Sequence, residues 1–150
     1  MPAKSILKAT AVAGTLDIVT ACTKYSIQTG NDPQGVLKYI TSALIGPKAF
    51  TGGWEMSLAG LFLHFVVAFL FTCFYFFLYP RMAWMRNNRV ISIILYGLFA
   101  ASVMKFLVLP LTQLTMKPFD LQGFLVEALI LVLCIALPVD YFARKHYQKI

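Results

Sequence analysis

Apolar residues in this chain fall in four long blocks, and polar residues are mostly confined to the gaps between them. The blocks cover about residues 6–28, 54–79, 90–113 and 122–143. A hydrocarbon core about 30 Å thick takes roughly 20 predominantly apolar residues to cross, so each block can form a transmembrane helix. The gap at 29–53 has a pattern of its own. Asn31 or Asp32 can cap a helix that carries Pro33 in its first turn, Val36, Leu37, Ile40, Ala43 and Leu44 recur on one face, and Gly46-Pro47 ends it. An amphipathic helix is predicted over about 33–45. It is too short to cross, so it is expected to lie in the interface, as an interfacial helix over about 33–45, rather than to dip in as a re-entrant segment. The expected fold is all-α: one integral membrane four-helix bundle over residues 1–150, with a short amphipathic helix between the first and second spans.

The first block differs from the others. Asp17 and Lys24 interrupt it, and Ala9, Ala13, Gly14 and Ala21 make it small-sided. Where no hydrophobic force acts between helices, small residues let backbones approach closely, which places this helix inside the bundle. The alternative is a cleaved signal peptide with Lys4 and Lys8 as its charged region and 9–16 as its apolar core. An aspartate within the apolar stretch argues against it. At the far ends of the spans, Tyr79, Pro80 and Trp84 close the second, and Arg86-Asn87-Asn88-Arg89 reads as a tight polar turn. Pro110 and Pro138 lie near span ends, where proline can kink a helix and free a carbonyl.

Composition supports a lipid setting: 59% of the 150 residues are hydrophobic and 13% charged, outside the usual balance of soluble domains. The net charge of +7 is unevenly spread. Four spans put the N-terminus, the 80–89 loop and the C-terminus on one side, with Lys4, Lys8, Arg81, Arg86, Arg89, Arg144, Lys145 and Lys149. The other side holds Lys38, Lys48 and Lys117, offset by Asp32 and Asp120. The positive-inside rule then places both termini in the cytoplasm, and topology and anionic headgroups account for the basic residues without a nucleic-acid partner. Cys22, Cys73 and Cys134 each fall inside a span, with no spacing for a disulfide framework or a zinc site.

Candidate chemistry lies in the ionisable groups within the blocks, which are costly in lipid and face the bundle interior. Asp17, Lys24, His64, Lys105 and Glu127 qualify. Asp17 lies eleven residues inside Gln28 and His64 ten inside Trp54, which at 1.5 Å per residue brings both near mid-membrane. Lys105 and Glu127 fall in the outer half of consecutive antiparallel helices. Two polar layers are expected: an outer Lys105–Glu127 ion pair and a central Asp17–His64 hydrogen bond. Lys24, which can snorkel to the surface, and Glu55 are secondary candidates. His146 is the only other histidine, and no metal-ligand or nucleophile–base spacing occurs, so no metal, haem or catalytic residue is predicted.

The runs "GLFLHFVVAFLFTCFYFFLYPRM", "LYGLFAASVMKFLVLPLTQLT" and "GFLVEALI" resemble the YagU-like family of small bacterial inner-membrane proteins. The shared features fall at His64, Pro80, Gly97, Pro110-Leu111 and Glu127, across residues 54–143, and the 33–45 stretch departs from the pattern. The resemblance implies a bacterial inner membrane and no particular reaction. Two function classes follow. One is a non-catalytic accessory subunit of a membrane complex that holds a lipid or quinone. The other is a transporter or proton-conducting protein that uses Asp17, His64, Lys105 and Glu127. Four helices enclose little volume, which favours the accessory class, with partner membrane subunits, or a homo-oligomer if there is transport.

Overall fold

The computed structural model describes residues 2–114 and 118–148; Lys117 and Lys149, counted above among the topology charges, lie outside the described residues. Among the described residues seven helices follow in order: α1 Ala3–Thr29, α2 Gln34–Ile45, α3 Lys48–Thr51, α4 Trp54–Leu78, α5 Ala83–Asn87, α6 Arg89–Leu111 and α7 Leu121–Tyr147. No strand occurs among the described residues. α1, α4, α6 and α7 are long and apolar enough to cross a membrane, so the all-α four-helix expectation holds. The expected tight turn at 86–89 is instead the one-turn α5 running almost directly into α6.

Local chemistry sets the helix ends. α1 stops at Gly30, whose φ of 69° is left-handed and whose N–H donates to Ser26 O. Of the two capping candidates ahead of α2, Asp32 acts: its Oδ1 accepts the Gln34 N–H at 2.8 Å. The Asp120 carboxylate likewise accepts the N–H groups of Gln122 and Gly123 at the start of α7. α7 runs past the expected end at 143 to Tyr147. Arg144, Lys145 and His146 fill its last turn, where positive charge suits the helix dipole, and Asp140 and Arg144 pair one turn apart.

Pro110 and Pro138 each alter the helix ahead of them. α6 widens to a π-helical segment over Met104–Val108 before Pro110, and α7 over Val132–Ala136 before Pro138. A proline has no N–H and its ring crowds the carbonyl four residues back, so a wider turn relieves both.

In the bundle, α1 packs against α4 and α7, and α7 packs against α6. Backbones approach where a side chain is missing: a Cβ on Gly97 would stand 2.7 Å from Val132 Cα. α4 and α6 are bridged by rings instead. Tyr96 donates to Phe71 O at 2.5 Å, Tyr75 and Tyr96 meet edge to face at 4.7 Å, and Phe74 stacks on Phe99 at 5.4 Å. α2 lies along the first turns of α4. Thr41 Oγ1 donates to Met56 O at 2.6 Å, Lys38 Nζ to Gly52 O at 2.8 Å, and a Cβ on Gly60 would collide with the Leu37 carbonyl oxygen. Pairing 37 with 60 and 41 with 56 seats α2 antiparallel against the start of α4. Outward-facing Phe62, Leu70, Phe77, Phe106, Leu107 and Leu129 are exposed, an apolar surface too large for water to tolerate well.

Candidate functional site

Polar side chains of α1 line the seams it shares with α4 and α7. Asp17 Oδ2 stands 4.0 Å from His64 Nε2, with the two side chains 18% and 12% exposed. The neighbourhood is as expected from their depths, but the bond is not. His64 Nε2 lies 2.9 Å from the carbonyl oxygen of Gly14, one turn before Asp17. A carbonyl can only accept, so Nε2 carries the proton and donates to it. Gly14 allows the approach because it has no side chain in a seam where a Cβ would stand 2.7 Å from the Phe65 ring. His64 therefore points into the bundle and is held by backbone, with the Asp17 carboxyl group beside it.

The outer layer requires a correction. Glu127 pairs with Lys24, through Nζ and Oε1, and not with Lys105. Lys105 makes no ion pair among the described residues; it lies in the π-helical segment of α6, where the widened turn displaces its side chain from the register of a regular helix. Lys24, expected only to snorkel, bridges α1 to α7, and between the two layers Thr20 Oγ1 meets Cys134 Sγ at 3.4 Å. Glu55 is a helix-start group: its Oε1 accepts the Gly53 N–H at 2.9 Å and its residue is exposed.

The most buried charge escaped the sequence reading. Asp140, with no exposed surface, accepts the Tyr75 hydroxyl at 2.6 Å, Arg89 Nε at 3.1 Å and Arg144 Nε at 2.9 Å. Tyr75 also meets Ser92 Oγ at 2.8 Å. Arg144 spends its remaining nitrogens on backbone: Nη1 donates to Arg86 O at 2.9 Å and Nη2 to Met85 O at 2.6 Å. One carboxylate thus joins α4, α5, α6 and α7 at the end of the bundle that carries both termini. The sequence signal was the Asp140–Arg144 spacing of one turn, beside an arginine opening the third span.

Two concavities stand out among the described residues. One is a shallow, open apolar face of α7 at Leu121, Gln122, Leu125, Val126 and Leu129; the other lies where α1 meets Pro33, lined by Cys22, Thr23, Ser26 and Ile27. His64, Asp17 and Asp140 line neither. No family model matches the chain, and neither a curated protein nor a solved structure matches it. The YagU-like resemblance stands on the quoted runs alone.

Proposed function

We propose that this is a multi-pass protein of the bacterial inner membrane, with both termini cytoplasmic, that serves as a non-catalytic accessory subunit of a membrane complex. The observation that carries this reading is the pairing of charge between helices. Asp140 is shared by two arginines, Glu127 is paired with Lys24, and Asp17 lies beside His64. Each group ties different helices together, which is what a bundle needs to fix its register, and these polar side chains are spent on one another rather than left facing a wide path. The exposed apolar face of α7 at Leu121, Leu125, Val126 and Leu129 supports contact with a lipid or quinone tail. The basic residues around the termini end support the orientation.

Transport is the second reading. The observation in its favour is the seam of α1, where Glu127, Lys24, Asp17 and His64 descend from the outer end to mid-bundle. One experiment separates the two. The protein is purified from its membrane in mild detergent, its companions are identified by mass spectrometry, and the pure chain is tested for proton flux in liposomes. The accessory reading expects stoichiometric partner subunits, lipid or quinone, and no flux above empty liposomes. Flux that His64→Gln abolishes in a still-folded protein would overturn it in favour of transport.

A further inference from the structure

We propose that Arg89 holds the phosphate of an anionic phospholipid at the termini end of the bundle. The inference rests on the reading of the four long helices as membrane spans and names a lipid class that such a protein would carry.

Arginines at this end differ in how much of the guanidinium is already used. Arg144 has all three nitrogens bonded within the protein. Arg86 Nη1 donates to Pro80 O at 2.6 Å, and Arg81 Nη1 donates to Phe77 O at 2.8 Å while the group lies 3.7 Å over the Phe77 ring. Arg89 uses Nε alone, on Asp140. Its two terminal nitrogens have no protein acceptor among the described residues, and its side chain is 52% exposed. A guanidinium anchored through Nε presents its Nη1–Nη2 edge away from the anchor. That edge carries two parallel N–H groups, the fork that matches two oxygens of a phosphate diester.

Charge and position point to the same ligand. Asp140 is one carboxylate facing two guanidiniums, so the cluster retains one positive charge. No other side-chain carboxylate lies near it: Asp17, Asp32, Glu55, Asp120 and Glu127 belong to the middle or the opposite end of the bundle. Arg89 opens α6, and the exposed apolar surface begins at the next two residues, Val90 and Ile91. A phosphate on Arg89 would therefore sit at headgroup level with its acyl chains against that surface. Because the buried Asp140 already fixes the guanidinium, binding immobilises little further.

The test uses the full chain in nanodiscs of equal parts dioleoylphosphatidylglycerol and dioleoylphosphatidylcholine, released and weighed with its retained lipids by native mass spectrometry. The wild-type protein should retain the glycerol lipid in preference to the choline lipid. Arg89→Gln should weaken that retention at least about tenfold, the size of one of the fork's two charge-assisted hydrogen bonds, and Arg81→Gln should leave it unchanged. Equal retention of both lipids, or an equal loss in the two variants, would overturn the assignment in favour of diffuse attraction. Displacement of the lipid by excess inorganic phosphate would also overturn it, since the site would then take the free anion. Circular dichroism checks folding of each variant. If Arg89→Gln does not fold, Arg89→Lys, which keeps the charge and loses the fork, must still weaken retention. A chain that does not enter nanodiscs at all would refute the membrane reading, a result distinct from insertion without lipid preference.

Discussion

Replacing Asp140 with asparagine removes one charge and almost no volume from the most buried ionic site. The asparagine amide oxygen can still accept the Tyr75 hydroxyl, so the loss falls on the two arginines. Arg89, half exposed, can turn toward headgroups. Arg144 cannot: its side chain is 13% exposed and its terminal nitrogens are tied to Met85 O and Arg86 O. Asp140→Asn therefore leaves one buried guanidinium uncompensated, a change that costs about 3–5 kcal/mol in proteins. Glu127→Gln supplies the comparison, since that carboxylate is 59% exposed and its partner Lys24 29%; a pair so open contributes about 0–1 kcal/mol. Reversible unfolding in mixed micelles, titrated with dodecyl sulfate and followed by circular dichroism, measures both. Asp140→Asn should be the more destabilising by roughly 3 kcal/mol, and adding Arg144→Gln should recover part of the loss by removing the orphaned charge. An Asp140→Asn protein no less stable than Glu127→Gln would refute the assignment of Asp140 as the ionic centre of the fold.

Two further outcomes follow from the packing. In double-mutant cycles by the same unfolding assay, Lys24→Met and Glu127→Gln should couple, whereas Lys105→Met and Glu127→Gln should be additive to within about 0.5 kcal/mol; the reverse pattern would restore the pairing expected from sequence. Gly60→Ala should lower stability by about 1–3 kcal/mol, because its Cβ meets the Leu37 backbone oxygen and α2 must move away from α4. Faster proteolysis within 30–53 would report that movement, and an unchanged rate would count against the seating of α2.

Hydrophobic blocks made the four long helices legible because their length is a one-dimensional property of the chain. Pairing between helices also depends on rotation, which a single sequence does not carry. The outer pair illustrates the difference. Glu127 lies five residues inside Gln122, and Lys24 lies four inside Gln28, against eight for Lys105 from Gln113. Depth alone favoured Lys24. Assigning it to the surface by its reach, and preferring consecutive helices, gave the wrong partner; α1 proved to be a neighbour of α7 as well as of α4. Asp140 was missed for a related reason. It lies inside the 122–143 block, but its partners Tyr75, Arg89 and Arg144 come from three helices, and which of them face it is set by rotation. His64 was half legible: depth brought Asp17 to its level, but a backbone carbonyl exposed by Gly14 took the hydrogen bond.

The helix order has a physical cause in this division between polar and close-packed seams. Lipid is as apolar as leucine, so burying apolar surface does not drive one span against another, and association falls to polar contacts and close packing. α1 supplies the polar contacts: with Asp17, Thr20 and Lys24 it must reach both α4 and α7 to satisfy them, which places it between the two. α6 and α7 meet through Gly97 against Val132, where the π-helical segment brings backbone to the seam. That leaves α4 and α6 farther apart, and the rings of Phe74, Tyr75, Tyr96 and Phe99 fill the distance between them. Asp140 then locks the end of the bundle where α4, α6 and α7 meet. Asp17, Lys24, Glu127 and Asp140 thus each have a structural task that they already perform within a single copy of the chain. A transport role would have to break and remake at least one of these contacts in every cycle, whereas an accessory role requires only that they persist.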